Sequence, residues 1–185
     1  MLKKSVLVPL LALACAALAA APASAQGDAS PFRAGPVFEE FGLHAPVDAD
    51  MAIPEGTIFK VMFEAVRQDT EGRRNGEIEI AARFINMSVA AGVPLEKVHV
   101  AIVVRGPASN DLLTDAAWGK THDGQANPNA GLVRALLDHG VRIILCGQSA
   151  AGLGITKDQL QPGVEIAQSA ITARALLQMQ GYTKN

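Results

Sequence analysis

The sequence predicts an α/β fold in which helices cover both faces of a parallel β-sheet. Runs of β-branched and apolar residues alternate with segments whose apolar residues have helical spacing. No internal repeat or low-complexity segment interrupts this alternation. The chain has 185 residues, of which 49% are hydrophobic. A chain of this kind buries enough surface to hold one domain together without a disulfide or a metal.

Residues 1–25 have the three regions of a secretory signal peptide. Lys3 and Lys4 are positive, Val6 to Ala20 are apolar, and Ala23-Ser24-Ala25 supplies the small side chains of a cleavage site. We therefore predict a mature chain that begins at Gln26 and is released into the periplasm.

Charge and hydropathy argue against two classes of partner. The 18 acidic residues outnumber the 16 basic ones and no basic cluster is present, whereas nucleic-acid phosphates require concentrated Lys and Arg. Beyond the predicted signal peptide, no apolar run approaches the roughly 20 residues of a membrane-spanning helix. After cleavage we expect binding neither to nucleic acid nor to a membrane.

Residues 26–56 are predicted to form an extended N-terminal arm. The arm contains four prolines that are spaced too closely for a helix, namely Pro31, Pro36, Pro46 and Pro54. Three phenylalanines could fix it either to its own domain or to a neighbouring subunit, namely Phe32, Phe38 and Phe41. The sequence leaves both possibilities open.

Residues 57–185 are predicted to form the folded domain. It begins with a strand, a helix and a strand over Thr57–Val66, Gly76–Ala91 and Val98–Val104. A long polar connection follows, with a short helix predicted over Asn110–Trp118 and capped by Ser109 or Asn110.

The second half of the domain repeats the alternation. A helix over Asn129–Asp138, closed by Gly140, precedes a strand over Val141–Leu145. A short helix is predicted directly after Cys146. The last predicted elements are a short strand over Val164–Ala167 and a helix over Ser169–Gln180 that Gly181 ends.

Ligands of such folds collect at the carboxyl ends of the strands. Three segments are predicted there: Glu64–Arg67, Arg105–Pro107 and Cys146–Ser149. The third carries the only cysteine of the mature chain, because Cys15 lies within the predicted signal peptide. A lone thiol in an oxidising compartment is buried and inert, bridged to a partner, or reactive.

Several familiar motifs are incomplete around this cysteine. Gly147-Gln148-Ser149-Ala150-Ala151 imitates the nucleophile elbow of α/β-hydrolases but lacks the last glycine, and no histidine follows His139. The glycines near it lack the Lys-Ser/Thr of a phosphate-binding loop, and one cysteine does not make a thioredoxin-like pair. Four scattered histidines show no metal-ligand spacing. We therefore predict neither a metal nor a cofactor.

Residues Thr57 to Tyr182 resemble the DsrE/DsrF-like family of sulfur-relay proteins, especially its exported single-domain branch. The matching segments, in chain order, are Phe59-Lys60-Val61-Met62-Phe63, Gly106-Pro107-Ala108, Asn127-Pro128-Asn129, Cys146-Gly147-Gln148, Leu160-x-Pro162-Gly163-Val164 and Leu177-Gln178-x-Gln180-Gly181-Tyr182. The resemblance implies a three-layer α/β/α fold and a homo-oligomer, either a trimer or a hexamer. Better-studied relatives carry sulfur as a cysteine persulfide, and their acceptor cysteine matches Cys146. Arg105 departs from the histidine found in many relatives, so a role for a histidine there does not carry over.

The residues themselves favour the same site. A cysteine at a helix N-terminus gains stabilisation of its thiolate from backbone N–H groups and the helix dipole. Gly147 permits close backbone approach, Gln148 and Ser149 can donate hydrogen bonds to a thiolate or a persulfide, and Arg105 can supply positive charge. Asn110 is a candidate for binding or for simple helix capping, and Asn127 and Asn129 are interpreted as residues at the start of a helix.

Two functions remain open at this point. In the first, the protein is a periplasmic carrier of sulfane sulfur or a sulfurtransferase, with Cys146 as its persulfide-forming thiol. Its partners are then sulfur-donor and sulfur-acceptor proteins or small sulfur species. In the second, the protein is a non-catalytic oligomeric binding or assembly module of the same fold, and Cys146 is buried.

Overall fold

A computed structural model describes residues 30–69 and 72–185, so the predicted signal peptide lies outside the described residues. In the described part of the chain, one five-stranded sheet has the order β4-β3-β2-β1-β5, and every pairing is parallel. The strands are β1 Phe59–Ala65, β2 Val98–Val104, β3 Arg142–Cys146, β4 Glu165–Ala167 and β5 Thr183–Lys184. The predicted α/β fold with a parallel sheet is confirmed.

Five α-helices connect these strands: α1 Gly76–Ala90, α2 Asp115–Gly119, α3 Ala130–Asp138, α4 Gly147–Leu153 and α5 Ala170–Met179. α1 and α3 pack on one face of the sheet with the larger apolar core, which includes Phe63, Ile102 and Leu145. α5 covers the other face, where Met62 and Val103 belong to a smaller core. Helices therefore lie on both sides of the sheet, as in a three-layer α/β/α sandwich.

The predicted helix over Asn110–Trp118 is wrong in its start and its cap. Gly106–Leu112 is a 3-10 helix, and α2 begins only after Thr114, whose side chain accepts a hydrogen bond from the Ala117 N–H at 3.3 Å. The Asn127 side-chain amide donates to the backbone carbonyls of Asp111 and Leu113. The helix is interrupted at Leu113 and Thr114, because both residues have an extended backbone, with ψ angles of 148° and 159°, and Leu113 forms an isolated β-bridge with Leu160.

The described part of the arm, residues 30–56, contains no helix and is held on α1 by side chains of that helix, of which Asn86 makes the most hydrogen bonds. The Asn86 amide, fully buried, accepts from the backbone N–H groups of Val37 and Phe38 and donates to the carbonyls of Phe38, Phe41 and Gly42. Phe38 is buried in the core of its own chain.

In the described residues, no helix is long and apolar enough to cross a bilayer.

Candidate functional site

Cys146 lies at the carboxyl end of the sheet, where a strand passes directly into a helix. It is the last residue of β3 and the N-cap of α4, and its side chain belongs to the smaller core beneath α5. Only 6% of the residue is exposed. The thiol is therefore placed at the border between a packed core and the surface.

Donors at the starts of two helices affect the acidity of the Cys146 thiol. Burial acts to raise the pKa of Cys146, but the backbone N–H and hydroxyl of Ser149 and the backbone N–H groups of Ala170 and Gln148 favour the thiolate. Together these donors hold the pKa below its ordinary value. Gln148 and Ser149 belong to α4, whereas Ala170 is the first residue of α5. The anion is thus stabilised from both sides.

Ser149 is oriented by the neighbouring strand. Its Oγ accepts a hydrogen bond from the backbone N–H of Gly106 at 2.9 Å, just beyond the end of β2. Because the oxygen is used as an acceptor there, the hydroxyl proton is free to point toward the sulfur. Ser149 therefore acts as a positioned donor that ties the ends of β2 and β3 together.

Gly147 lets the connection between β4 and α5 approach the start of α4. A Cβ at this position would lie 2.6 Å from the carbonyl oxygen of Ala167 and 3.2 Å from that of Gln168. The Gln148 side-chain amide donates to the same Gln168 carbonyl at 3.2 Å. These contacts keep the N-terminus of α5 beside Cys146, so the side chain of Gln148 has a positioning role here.

Arg105 lies at the same level of the sheet as Cys146. The register pairs Val103 with Ile144 and Val104 with Leu145, so the next residues along β2 and β3 are Arg105 and Cys146. Arg105 is half-buried, and its Nε is buried without a hydrogen-bond partner in the described part of the chain. Arg105 therefore brings a positively charged residue with an unpaired Nε donor to the edge of the sheet where Cys146 lies.

The model of the DsrE/DsrF-like family matches residues 58–183. This chain belongs to the DsrE/DsrF-like family. Among solved structures, a protein of unknown function from Methanobacterium thermoautotrophicum is similar, with 22% sequence identity and a TM-score of 0.47 over 69% of this chain and 99% of that chain. No curated protein matches the chain.

Asn110 has a local hydrogen bond in this DsrE/DsrF-like chain. Its side-chain amide donates to the carbonyl of Pro107 at 3.2 Å within the 3-10 helix, and the residue is half-buried. This bond stabilises the turn after β2. A direct role for Asn110 in binding stays a prediction.

A buried polar cluster lies on the α1 and α3 side of the sheet, and sequence analysis did not find it as a unit. The Asp111 carboxylate accepts from the side-chain amides of Asn75 and Asn129 at 2.6 and 3.1 Å. Asn129 also accepts from the backbone N–H of Asn75, and Asn127 accepts from the backbone N–H of Asn129. The Asn-Pro-Asn segment before α3 is the one part of the cluster that stands out in the sequence. Asn75 and Asp111 are distant from it along the chain, and no motif around them indicates that they meet it.

Burial raises the pKa of Asp111 to about 6. The hydrogen bond from the Asn75 amide lowers this pKa, whereas the negative charges of Asp69 and Glu77 raise it further. Asp111 is only 1% exposed. The described residues contain no group of His, Cys, Asp and Glu that could hold a metal ion. The Asp111 carboxylate joins the N-caps of α1 and α3, because it accepts from the side chains of both Asn75 and Asn129.

Proposed function

We propose that this protein carries sulfane sulfur, with Cys146 as the thiol that accepts one sulfur atom and passes it on. The observation that supports the proposal most is the set of donors from α4 and α5 that lowers the pKa of Cys146. A thiolate, not a thiol, attacks a sulfane sulfur. Membership of the DsrE/DsrF-like family points to the same chemistry.

Loading is a nucleophilic displacement that needs no further oxidant. The Cys146 thiolate attacks the outer sulfur of a donor R–S–S⁻; the new bond joins the two sulfurs, and the donor's S–S bond breaks with its electron pair leaving on R–S⁻. With thiosulfate as donor, the same step leaves a Cys146 persulfide and sulfite. Transfer onward is the reverse displacement, in which an acceptor thiolate takes the terminal sulfur and Cys146 returns to a thiolate.

The neighbouring residues have separate roles in this proposal. Ser149 and the backbone N–H groups of Gln148 and Ala170 stabilise the thiolate before attack and the persulfide anion after it. Gly147 keeps those donors in place. Arg105 favours anionic donors such as thiosulfate, because this cationic residue follows β2 at the level of the sheet where Cys146 ends β3.

The compartment and the assembly are parts of the same proposal. We place the reaction in the periplasm because residues 1–25 have the features of a signal peptide. A homo-oligomer is supported by three exposed apolar residues on the outer flank of α5, namely Ile171, Leu176 and Met179. Light scattering at micromolar concentration tests it, and a monomer there contradicts it.

The low exposure of Cys146 favours one competing function, a binding or assembly module with an inert core thiol. Reaction with iodoacetamide under native conditions separates the two. A carrier is alkylated while folded and remains reactive below neutral pH, because its thiol ionises early. A core cysteine reacts only after denaturation.

The decisive experiment is loading by polysulfide or thiosulfate, followed by intact-mass measurement with and without reductant. We expect the folded protein to gain the mass of one sulfur atom that the reductant removes, and Cys146→Ser to gain none. Arg105→Gln should slow loading by thiosulfate but leave alkylation by neutral iodoacetamide unchanged. A Cys146→Ser protein that gains sulfur equally well contradicts the proposal.

A further inference from the structure

A cleft lies at the opposite end of the sheet from Cys146. It has a volume of about 400 Å³ and separates the N-terminal arm from α1 and the start of β1. Its apolar wall is formed by Phe59, Phe84 and Met87. The rings of Phe59 and Phe84 pack edge to face, with 5.4 Å between their centroids. A cleft of this size lies within the range of about 300–1,000 Å³ that is typical of small-molecule sites.

The walls of this cleft are held in place by specific bonds. The side-chain amide of Asn86 on α1 makes five hydrogen bonds to backbone groups of the arm. Gly42 has a positive φ of 61°, and a Cβ there would lie 2.2 Å from the backbone nitrogen of Arg83. Arg33 and His44 exchange backbone hydrogen bonds at 2.9 and 3.0 Å, which closes the turn of the arm over the cleft.

Two buried polar side chains line the cleft without using their hydrogen-bonding capacity. His44 is 5% exposed and Ser88 is 4% exposed, and neither side chain has a hydrogen-bond partner in the described part of the chain. Their polar atoms are accessible from the cleft, because the fully enclosed unpaired side-chain atoms of the described residues belong to Arg105 and Ser109. Both groups can donate a hydrogen bond into the cleft.

The charges at the cleft favour an anion. The exposed guanidinium of Arg33 lies at its rim, and no acidic residue lines it. Three potential donors, Arg33, His44 and Ser88, therefore line the same cleft as its apolar wall. Hydrogen bonds from such donors are strongest when the acceptor is ionised.

We propose that this cleft binds a small amphipathic carboxylate. The carboxylate accepts hydrogen bonds from His44 and Ser88 and faces Arg33, and the aliphatic tail packs against Phe59, Phe84 and Met87. The site is separate from the thiol site, because it lies on the α1 face and at the amino-terminal end of β1. Its occupancy does not depend on the chemistry of Cys146.

Sodium decanoate is the probe, with uncharged decanol as the matched compound, and both are titrated calorimetrically below the micellar range. We expect saturable binding of one decanoate per chain and binding of decanol that is about tenfold weaker, since a hydrogen bond to a charged group is worth about that factor. His44→Ala should weaken decanoate binding about tenfold, and Ser88→Ala should weaken it less. Cys146→Ser should bind as the unmodified protein does.

Two further variants keep the result interpretable. His99→Ala removes an exposed histidine of β2 and should leave binding unchanged. Ala91→Trp places a large ring at an exposed residue of the cleft and should abolish binding without touching the core. The proposal fails if decanoate shows no saturable binding, or if binding survives both His44→Ala and Ala91→Trp in folded protein.

Discussion

Two acidic groups of this protein lie between pairs of helix N-termini, and their acidities move in opposite directions. The Cys146 thiol lies between α4 and α5, and its pKa is lowered. The Asp111 carboxyl lies between the caps of α1 and α3, and its pKa is raised to about 6. A position between helix N-termini therefore does not by itself decide whether an anion is favoured.

The difference lies in the donors and in the neighbouring charges. Backbone N–H groups and the Ser149 hydroxyl offset the burial of the sulfur. Asp111 is 1% exposed, is bonded by two side-chain amides, and has the carboxylates of Asp69 and Glu77 nearby. Desolvation and like charge therefore dominate at Asp111, whereas hydrogen bonding dominates at Cys146.

The largest effect is expected when the Asp111 carboxyl is removed. Asp111→Ala leaves the Asn129 side-chain amide without its acceptor in a buried site and disconnects the 3-10 helix from α1 and α3. We expect a loss of about 2–4 kcal/mol in the free energy of unfolding at pH 5, measured by chemical denaturation. Asp138→Ala, at the exposed end of α3, is the control and should change the stability by less than about 0.5 kcal/mol. A loss equal to that of the control would show that the cluster is not structural.

The second prediction concerns the pH dependence of stability. The folded-state pKa of Asp111 is about 6 against an ordinary value of 3.8, so the folded state holds the proton more tightly than the unfolded state. The stabilisation from this proton is present below about pH 4 and is lost as the pH rises to about 6, a change of about 2–3 kcal/mol. Unfolding of the unmodified protein and of the non-titrating Asp111→Asn should be compared at both ends of this interval. Parallel pH profiles would contradict the raised pKa.

Substitution of Gly147 should disturb the thiol site through the backbone. In Gly147→Ala the new Cβ meets the Ala167 carbonyl at 2.6 Å, so the connection before α5 must move away. We expect a loss of about 1–2 kcal/mol in stability and slower alkylation of Cys146 at pH 6. Gly152→Ala is the matched control on the same helix, because nothing lies within 4 Å of its added Cβ. That control should be neutral or stabilising by up to about 1 kcal/mol.

The smallest effect is expected from Ser149→Ala, which removes one donor and keeps three backbone N–H groups around the sulfur. The midpoint of the alkylation rate against pH should rise, and the rate at pH 6 should fall about fivefold, as the loss of one hydrogen bond of about 1 kcal/mol implies. Gln148→Ala keeps the backbone N–H that faces the sulfur and should change the midpoint less. Equal shifts in the two variants would mean that the hydroxyl is not a donor to Cys146.

The sequence pattern predicts the main strands and helices well. β2 is observed over Val98–Val104 as predicted, and α1 ends one residue before its predicted end, because continuous apolar runs and helical spacing are local signals. α2 starts later than predicted because Leu113 has an extended backbone and pairs with Leu160, which is distant in sequence. β5 has only two residues, which pair with Val61 and Met62. A strand this short is too short for the sequence pattern of a strand to predict it.

The sequence by itself determined the α/β class, the family and the position of Cys146 at the end of a strand and the start of a helix. These features depend on residues that are neighbours along the chain. The tertiary structure decided that the N-terminus of α5 reaches the same sulfur and that Asp111 meets Asn75 and Asn129. Such contacts join segments that are far apart in sequence, and their effect on a pKa depends on burial and distance, which no local pattern contains.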